Sequence, residues 1–306
     1  MIRYIAMRLL QVVPVLFAIT LLAFLTFYLD RADPVSALVR EDTSPEYAEA
    51  LRERLGLDQP AYVQYGLFLG RIAQGDLGIS YRGRAPVEER VVPAVIATLH
   101  FTAVAFLFTI LIGLPAGLLS AAKPYSLADN VIMVAVLAGV SSPEFWVGIL
   151  LIYTFAYSLG WLPSGGSASW SSVILPALTL ALHYGAIVAR VTRTSVLEVL
   201  GEDYIRTARA KGAPERIVFI RHALRNAGVP VVTVLGLQVA SMVGGTILVE
   251  NVFAWPGVGR LLVNAISERD APMVQGCILV IALLVVFITL LTDLIYAALN
   301  PRIRLQ

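Results

Sequence analysis

Metal centres and proton-transfer pairs are built from clustered histidine, cysteine and carboxylate side chains, and in this sequence those residues are scattered. His100, His183 and His222 fall in different segments, and the single Cys277 lies in an apolar run with no intrachain partner for a disulfide or metal cluster. No G-x-x-x-x-G-K-[S/T] loop is present to cradle phosphates with backbone amides, and no H-E-x-x-H, paired Cys-x-x-Cys or G-x-S-x-G occurs. Neither a catalytic residue, a metal ligand nor a cofactor is therefore expected in this chain. His183 stands within an apolar stretch and admits two readings: a proton relay or ligand facing a pathway, or a polar residue hydrogen-bonded to a neighbouring helix. Glu144 and Asp293 lie near the ends or breaks of such stretches, where helix capping and snorkelling also account for a carboxylate. They form no row of buried acids of the kind expected in an ion-coupled carrier. The densest chemistry is cationic: "EDYIRTARAKGAPERIVFIRHALRNAGVP", Glu202 to Pro230, holds six Lys/Arg residues.

The chain around this block is 58% hydrophobic and 14% charged, against roughly 25% charged in soluble domains, which points to an all-α integral membrane protein. Net charge is only +2, so no nucleic-acid partner is expected. A spanning helix needs about 20 mainly apolar residues, and six stretches qualify: about 9–29, 98–122, 130–160, 172–192, 229–251 and 273–298. The third is interrupted at "SSPEFW", where Pro143 removes a backbone donor. It is either one kinked span or a short half-helix leading into a full one, so the count is six, or seven if it divides. The basic N-terminus resembles a signal peptide, but its apolar run is long and no A-x-A follows closely, so it reads as a retained first span.

Lys and Arg in short flanking loops set orientation. Arg3, Arg8, Lys123, the run from Arg190 to Arg225, Arg302 and Arg304 all fall on one side of a six-span chain, which places both termini in the cytoplasm. The expected organisation is a first span over 1–30, an extracytoplasmic helical segment over 31–97, and a core over 98–306 with a cytoplasmic loop at about 193–228. In the outer segment Ser44 can cap a helix with Pro45 at its first position and Glu46 in its first turn, Gly56 can end it, and Pro60 can begin another before "GDLG".

Within the cationic block, Gly212-Ala213-Pro214 divides two helical candidates. Gly212 suits the left-handed residue that ends the first, and Pro214 suits the first position of the second, where Glu215 meets the helix dipole. Ile217, Ile220 and Leu224 share one face of that second helix. An interfacial amphipathic helix obeying the positive-inside rule would explain the charges. It would not explain "TARAKGA", where Thr207, Ala208, Gly212 and Ala213 are small enough for another backbone to approach closely. Ala208 and Gly212, four residues apart, share a face that is expected to meet such a partner.

This stretch resembles the cytoplasmic coupling loop of binding-protein-dependent ABC importer permeases, whose signature is Glu-Ala-Ala followed by Gly. The chain is identified as a member of the dipeptide/oligopeptide/nickel permease family over nearly its whole length. Besides "DYIRTARAKG", the resemblance rests on "LGLDQPAYVQY", "GDLGISYRG", "VARVTRTSVLEVLGEDY", "HALRNAGVP", "VENVFAWPGVGRLLVNAISERDAPMVQG" and "LIYAALNPRIR". Arg206-Thr207-Ala208 stands where the family has Glu-Ala-Ala, keeping Ala208 and Gly212 but losing the acid. The distal I-x-L-P falls on His222-Ala223-Leu224-Arg225, with only Leu224 kept and a proline delayed to Pro230.

The resemblance implies a type I ABC importer permease in the cell (inner) membrane, paired with a second permease chain in a heterodimer. It further implies two cytoplasmic ATPase subunits that hold ATP and Mg, and an extracytoplasmic substrate-binding protein. Asp203, Tyr204, Arg206, Thr207, Ala208, Lys211, Gly212 and Ala213 would form the ATPase-coupling element. Cargo would be a dipeptide or oligopeptide, or, on the alternative reading within the family, a nickel or other metal chelate or glutathione. A secondary, ion-coupled transporter is the rival outside the family. In the fifth span Gln238, Ser241 and Gly245 lie on one helical face and read either as a wall of the translocation path or as small-residue packing. Phe253, Trp255, Pro256 and Gly257 mark an outer turn that the resemblance makes an outer gate or binding-protein contact, with interfacial anchoring as the alternative for the two aromatics.

Overall fold

The computed structural model describes residues 2–28, 45–55 and 58–299, and its regular structure there is helical apart from one isolated bridge between Ile79 and Pro86. The helices are α1 (Ile2–Tyr28), α2 (Pro45–Leu55), α3 (Ala61–Ala73), α4 (Val87–Ala122), α5 (Leu127–Ser141), α6 (Glu144–Leu151), α7 (Ile174–Leu200), α8 (Asp203–Ala210), α9 (Leu224–Val252), α10 (Val258–Ser267) and α11 (Ala271–Leu299). A π-helical turn, Ile152–Ser158, prolongs α6. A helical turn, Glu215–Ile217, and a π-helical segment, Val218–Ala223, lead into α9.

Among the described residues four helical stretches are long and apolar enough to cross a bilayer, containing α4, α7, α9 and α11, and the bent pair of α5 and α6 makes a fifth. The 27-residue α1 occupies the first predicted stretch. The third stretch, expected as one kinked span or a short half-helix leading into a full one, divides at Pro143. It is two short helices bent by 110°, because Ser142 is extended and Pro143 begins α6 as its N-cap. α4 starts at Val87, well before the predicted residue 98, so the boundary drawn at 97 falls inside one helix. Glu88 and Glu89 lower the local hydropathy, yet in a first turn after Pro86 they favour the helix start. In the outer segment α2 begins at Pro45 with Glu46 in its first turn; Ser44 and Gly56, like Arg302 and Arg304, lie outside the described residues.

α7 is the hub: 72% of its apolar window is buried, against 28% or less for the other three long spans. Phe101, Leu175, Leu180, Met242, Phe253 and Trp255 form the main core around it. α4 meets it backbone to backbone. A Cβ at Gly113 would stand 2.7 Å from the Gly185 carbonyl oxygen, and one at Gly117 would stand 2.5 Å from that of Ala189. Glycines four apart allow this approach, as between membrane helices generally. Gly117→Leu should therefore sharply lower the yield of monodisperse protein in detergent, because the collision is with backbone and overpacking costs about 1–3 kcal/mol or more. Gly244→Ala, whose added Cβ would meet nothing within 4 Å, should leave yield unchanged as the matched control.

Buried carboxylates fasten the connections. Asp129 accepts hydrogen bonds from Nε and Nη2 of Arg193 at 2.8 Å, from the Tyr125 amide at 2.7 Å and from the Ser120 hydroxyl, locking the α4–α5 turn to α7. Glu250 accepts the Thr98 hydroxyl at 2.6 Å and the Arg260 amide at 3.0 Å, so it caps α10 from α9. Asp270 accepts the Ser80 hydroxyl and the Tyr81 amide at 3.1 Å, pinning the "GISYRG" loop to the start of α11. On the other flank, α1 packs on α3 and α11 through Phe24, Phe68 and Leu279, with Thr20 and Tyr65 hydroxyls 2.9 Å apart.

Candidate coupling helix and translocation face

α8 is an eight-residue helix between the two spans that carry α7 and α9. Gly212 ends it with φ +80°, and the amides of Gly212 and Ala213 return to the carbonyls of Arg209 (2.9 Å) and Ala208 (3.2 Å), satisfying groups that a helix end leaves open. Pro214 serves as N-cap of the following turn rather than its first residue. Across this elbow Arg209 donates from two nitrogens to the Glu215 carboxylate at 2.7 and 3.1 Å. That bonding pushes the Arg209 guanidinium further above its ordinary value. Asn226 donates to the Tyr204 hydroxyl at 2.7 Å, tying α8 to α9.

Ile205 is the one fully buried side chain of α8, and Ala208, three residues on, is half-buried beside it. Asp203, Thr207 and Ala210 are exposed on the opposite side, flanked by exposed Tyr204, Arg206, Lys211 and Gly212. At about 100° per residue the outward ridge is therefore Asp203–Thr207–Ala210 rather than the face of Ala208. Ala213 is half-buried at the elbow. Ile217, Ile220 and Leu224 are exposed, and Val218, Ala223 and Ala227 are the residues that pack. The π-helical turn holds more residues than an α-turn, which moves the buried face off the 3.6-residue spacing.

Of the three pathway candidates, Ser241 is exposed on α9 and its hydroxyl returns to the Leu237 carbonyl at 3.2 Å. Gln238 and Gly245 are half-buried. Gly245 faces α6 and α7: a Cβ there would stand 2.7 Å from the Tyr184 hydroxyl and 3.2 Å from a Glu144 carboxylate oxygen. His183 lies alongside, bonded to the Gly139 carbonyl. The sequence left Glu144 to helix capping or snorkelling and gave no signal for Tyr184. The available signal was a charged residue placed directly after the Pro143 break.

The outer turn is organised differently from expectation. Phe253 and Trp255 are buried, and the indole donates to the Ala97 carbonyl at 3.0 Å, so neither ring is an interfacial anchor or an exposed contact. Ala254 and Pro256 are exposed. Gly257 is buried with the Glu250 carboxylate where a side chain would stand. Phe and Trp read as surface aromatics because they flank a Pro-Gly turn, and the fold turns that flank inward.

Residues 113–305 match the family described as "Binding-protein-dependent transport system inner membrane component", and residues 1–101 match its N-terminal companion. The chain is 42% identical over 304 residues to the glutathione transport system permease protein GsiC of Escherichia coli (strain K12), covering 99% of each. It is 41% identical over the same length to GsiC of Shigella flexneri serotype 5b (strain 8401). Among solved structures, the MetNI methionine ABC transporter in inward-facing conformations superposes with a TM-score of 0.58 at 22% identity, over 68% of this chain and 95% of that one. An amino acid ABC transporter with histidines gives 0.52 at 18%, over 69% and 92%. These structures share the fold, and the sequence relatives carry the assignment further: the chain belongs to the binding-protein-dependent transport system inner membrane component family, as a permease subunit of an ABC importer.

Proposed function

We propose that α8 is the lever through which cytoplasmic ATPases drive this permease, with Asp203, Thr207 and Ala210 as the ridge that enters the ATPase. The observation that carries this is the combination of a short helix fixed to the membrane helices on one side, by Ile205 and Tyr204, and bare on the other. The chain supplies half of the path and a second, different permease supplies the rest, facing the exposed side of α9 that includes Ser241. ATP and Mg belong to the ATPases. An extracytoplasmic binding protein delivers the cargo, and the names of the relatives favour glutathione or a similar short peptide over a metal chelate.

The placement of Lys and Arg supports cytoplasmic termini and a cytoplasmic segment 193–228, with 31–86 and the start of α4 outside. In a Cys277→Ser background, a cysteine at Thr207 should be labelled by a membrane-impermeant thiol reagent only after the membrane is opened. The purified complex should contain two ATPase chains and a second permease. Labelling of residue 207 in intact cells, or a chain that purifies alone and transports on an ion gradient, would overturn the proposal.

A further inference from the structure

The bend between α5 and α6 brings together two polar side chains, Glu144 and His183, that the core around α7 does not absorb. Glu144, the first residue of α6, meets His183 and Tyr184 of α7 and Gly245 of α9, and the Glu144 and His183 side chains are 16% and 25% exposed. His183 Nδ1 lies 3.2 Å from the Gly139 carbonyl oxygen. A carbonyl only accepts, so Nδ1 carries the hydrogen, and in the neutral ring Nε2 is then an acceptor. That acceptor faces Glu144 Oε1 at 4.0 Å. The Tyr184 hydroxyl has one hydrogen to share between the Ser241 carbonyl at 3.1 Å and the Glu144 carboxylate. Glu144 Oε1 and His183 Nε2 thus face each other across a gap too wide for a direct hydrogen bond, in a half-buried setting where a carboxylate gains from a bridging donor. The neighbouring groups from α5 and α9 are the Gly139 and Ser241 carbonyls and Gly245, which add acceptors and no cation.

We propose that Glu144 and His183 form a station for a primary ammonium group of the cargo, entered beside the exposed Ser241 and Gly244 on α9. An ammonium is compact and carries three donors, enough to bridge the carboxylate and Nε2 at once, and its attraction to the carboxylate is strengthened where water is scarce. Gly245 is required because any side chain there would stand against Glu144 and Tyr184. The inference rests on the reading of the cargo as glutathione or a short peptide, each of which carries one free ammonium.

The test is initial uptake of glutathione and of an unmodified dipeptide by the complete transporter, with both permeases, the ATPases and the binding protein, in proteoliposomes. Glu144→Gln keeps the shape and removes the charge. It should lower uptake about tenfold at unchanged assembly and thermal stability, with Glu144→Asp recovering part of the loss. The preference for glutathione over its amine-acetylated form should also collapse in Glu144→Gln. If wild-type transporter takes up neither probe, the cargo reading fails and this inference falls with it. If wild type transports and Glu144→Gln matches it, the station is overturned with the cargo reading intact. If uptake falls only in proportion to lost assembly or stability, the pair is a structural clasp of the bend and the station is likewise overturned.

Discussion

Uptake should be lost, and the ATPases should fail to co-purify, when Ala210 is replaced by tryptophan, while membrane insertion and pairing with the second permease persist. Ala210 is exposed on the side of α8 opposite Ile205, so within this chain a larger side chain there displaces nothing. Between the lever and a close-fitting socket the same indole overpacks the interface. Overpacking costs about 1–3 kcal/mol, roughly a tenfold weakening of docking or more. Ala208→Trp should fail in a different way, because Ala208 is half-buried beside Ile205: the permease itself should be recovered in lower yield. Arg216→Ala, on an exposed residue beyond the elbow, should be mild. Co-purification and uptake measured in the same membranes decide the matter. Wild-type values for Ala210→Trp would leave the cationic block as no more than an anchor at the membrane surface.

Asp129→Ala should be the most destabilising single change of a charged residue. The Asp129 side chain is 2% exposed and that of Arg193 is 21% exposed, joined through two bonds of 2.8 Å. Deleting the acid strands a guanidinium between α4, α5 and α7 and also leaves the Tyr125 amide and Ser120 hydroxyl without their acceptor. Removing one partner of such a pair costs about 3–5 kcal/mol, a large share of the ~5–15 kcal/mol that stabilises a typical fold. The single variant should aggregate on size-exclusion chromatography in detergent. Asp129→Ala combined with Arg193→Met should regain much of the monodisperse fraction, because no charge is then left unpaired. A single variant with the wild-type melting temperature would show that the pair contributes nothing.

What could be read beforehand followed the reach of each physical signal. Among the described residues hydropathy located the four long apolar helices and the bent pair, because bilayer thickness imposes a length that survives ignorance of tertiary contacts. It misplaced the start of α4, since Glu88 and Glu89 weigh against burial while favouring a helix start. Turn chemistry at Gly212 was legible because a left-handed residue is a local requirement. The packing residues beyond the elbow, Val218, Ala223 and Ala227, were not legible because a π-turn cannot be seen in a 3.6-residue pattern. Trp255 and Glu250 were opaque for a further reason: their partners, Ala97 for the indole and Thr98 and Arg260 for the carboxylate, are supplied by chain packing. The Glu144 group is also non-local, joining α6, α7 and α9 at one point.

The contact of α4 with α7 at Gly113 and Gly117 has a mechanical consequence. Packed helices slide past each other on a cushion of side chains, and shear motions depend on that cushion. Where backbone meets backbone the cushion is gone, so α4 and α7 behave as one stiff plank rather than two sliding rods. The 27 residues of α7 span roughly 40 Å, and tilting such a plank by about 5° about one end sweeps the other by ~3.5 Å. If α8 is the lever proposed above, a push delivered at its end would be converted into rotation of the pair. The strain of that rotation must collect at the plank's joints, where Gly201 follows α7 and the 110° bend interrupts α5 and α6.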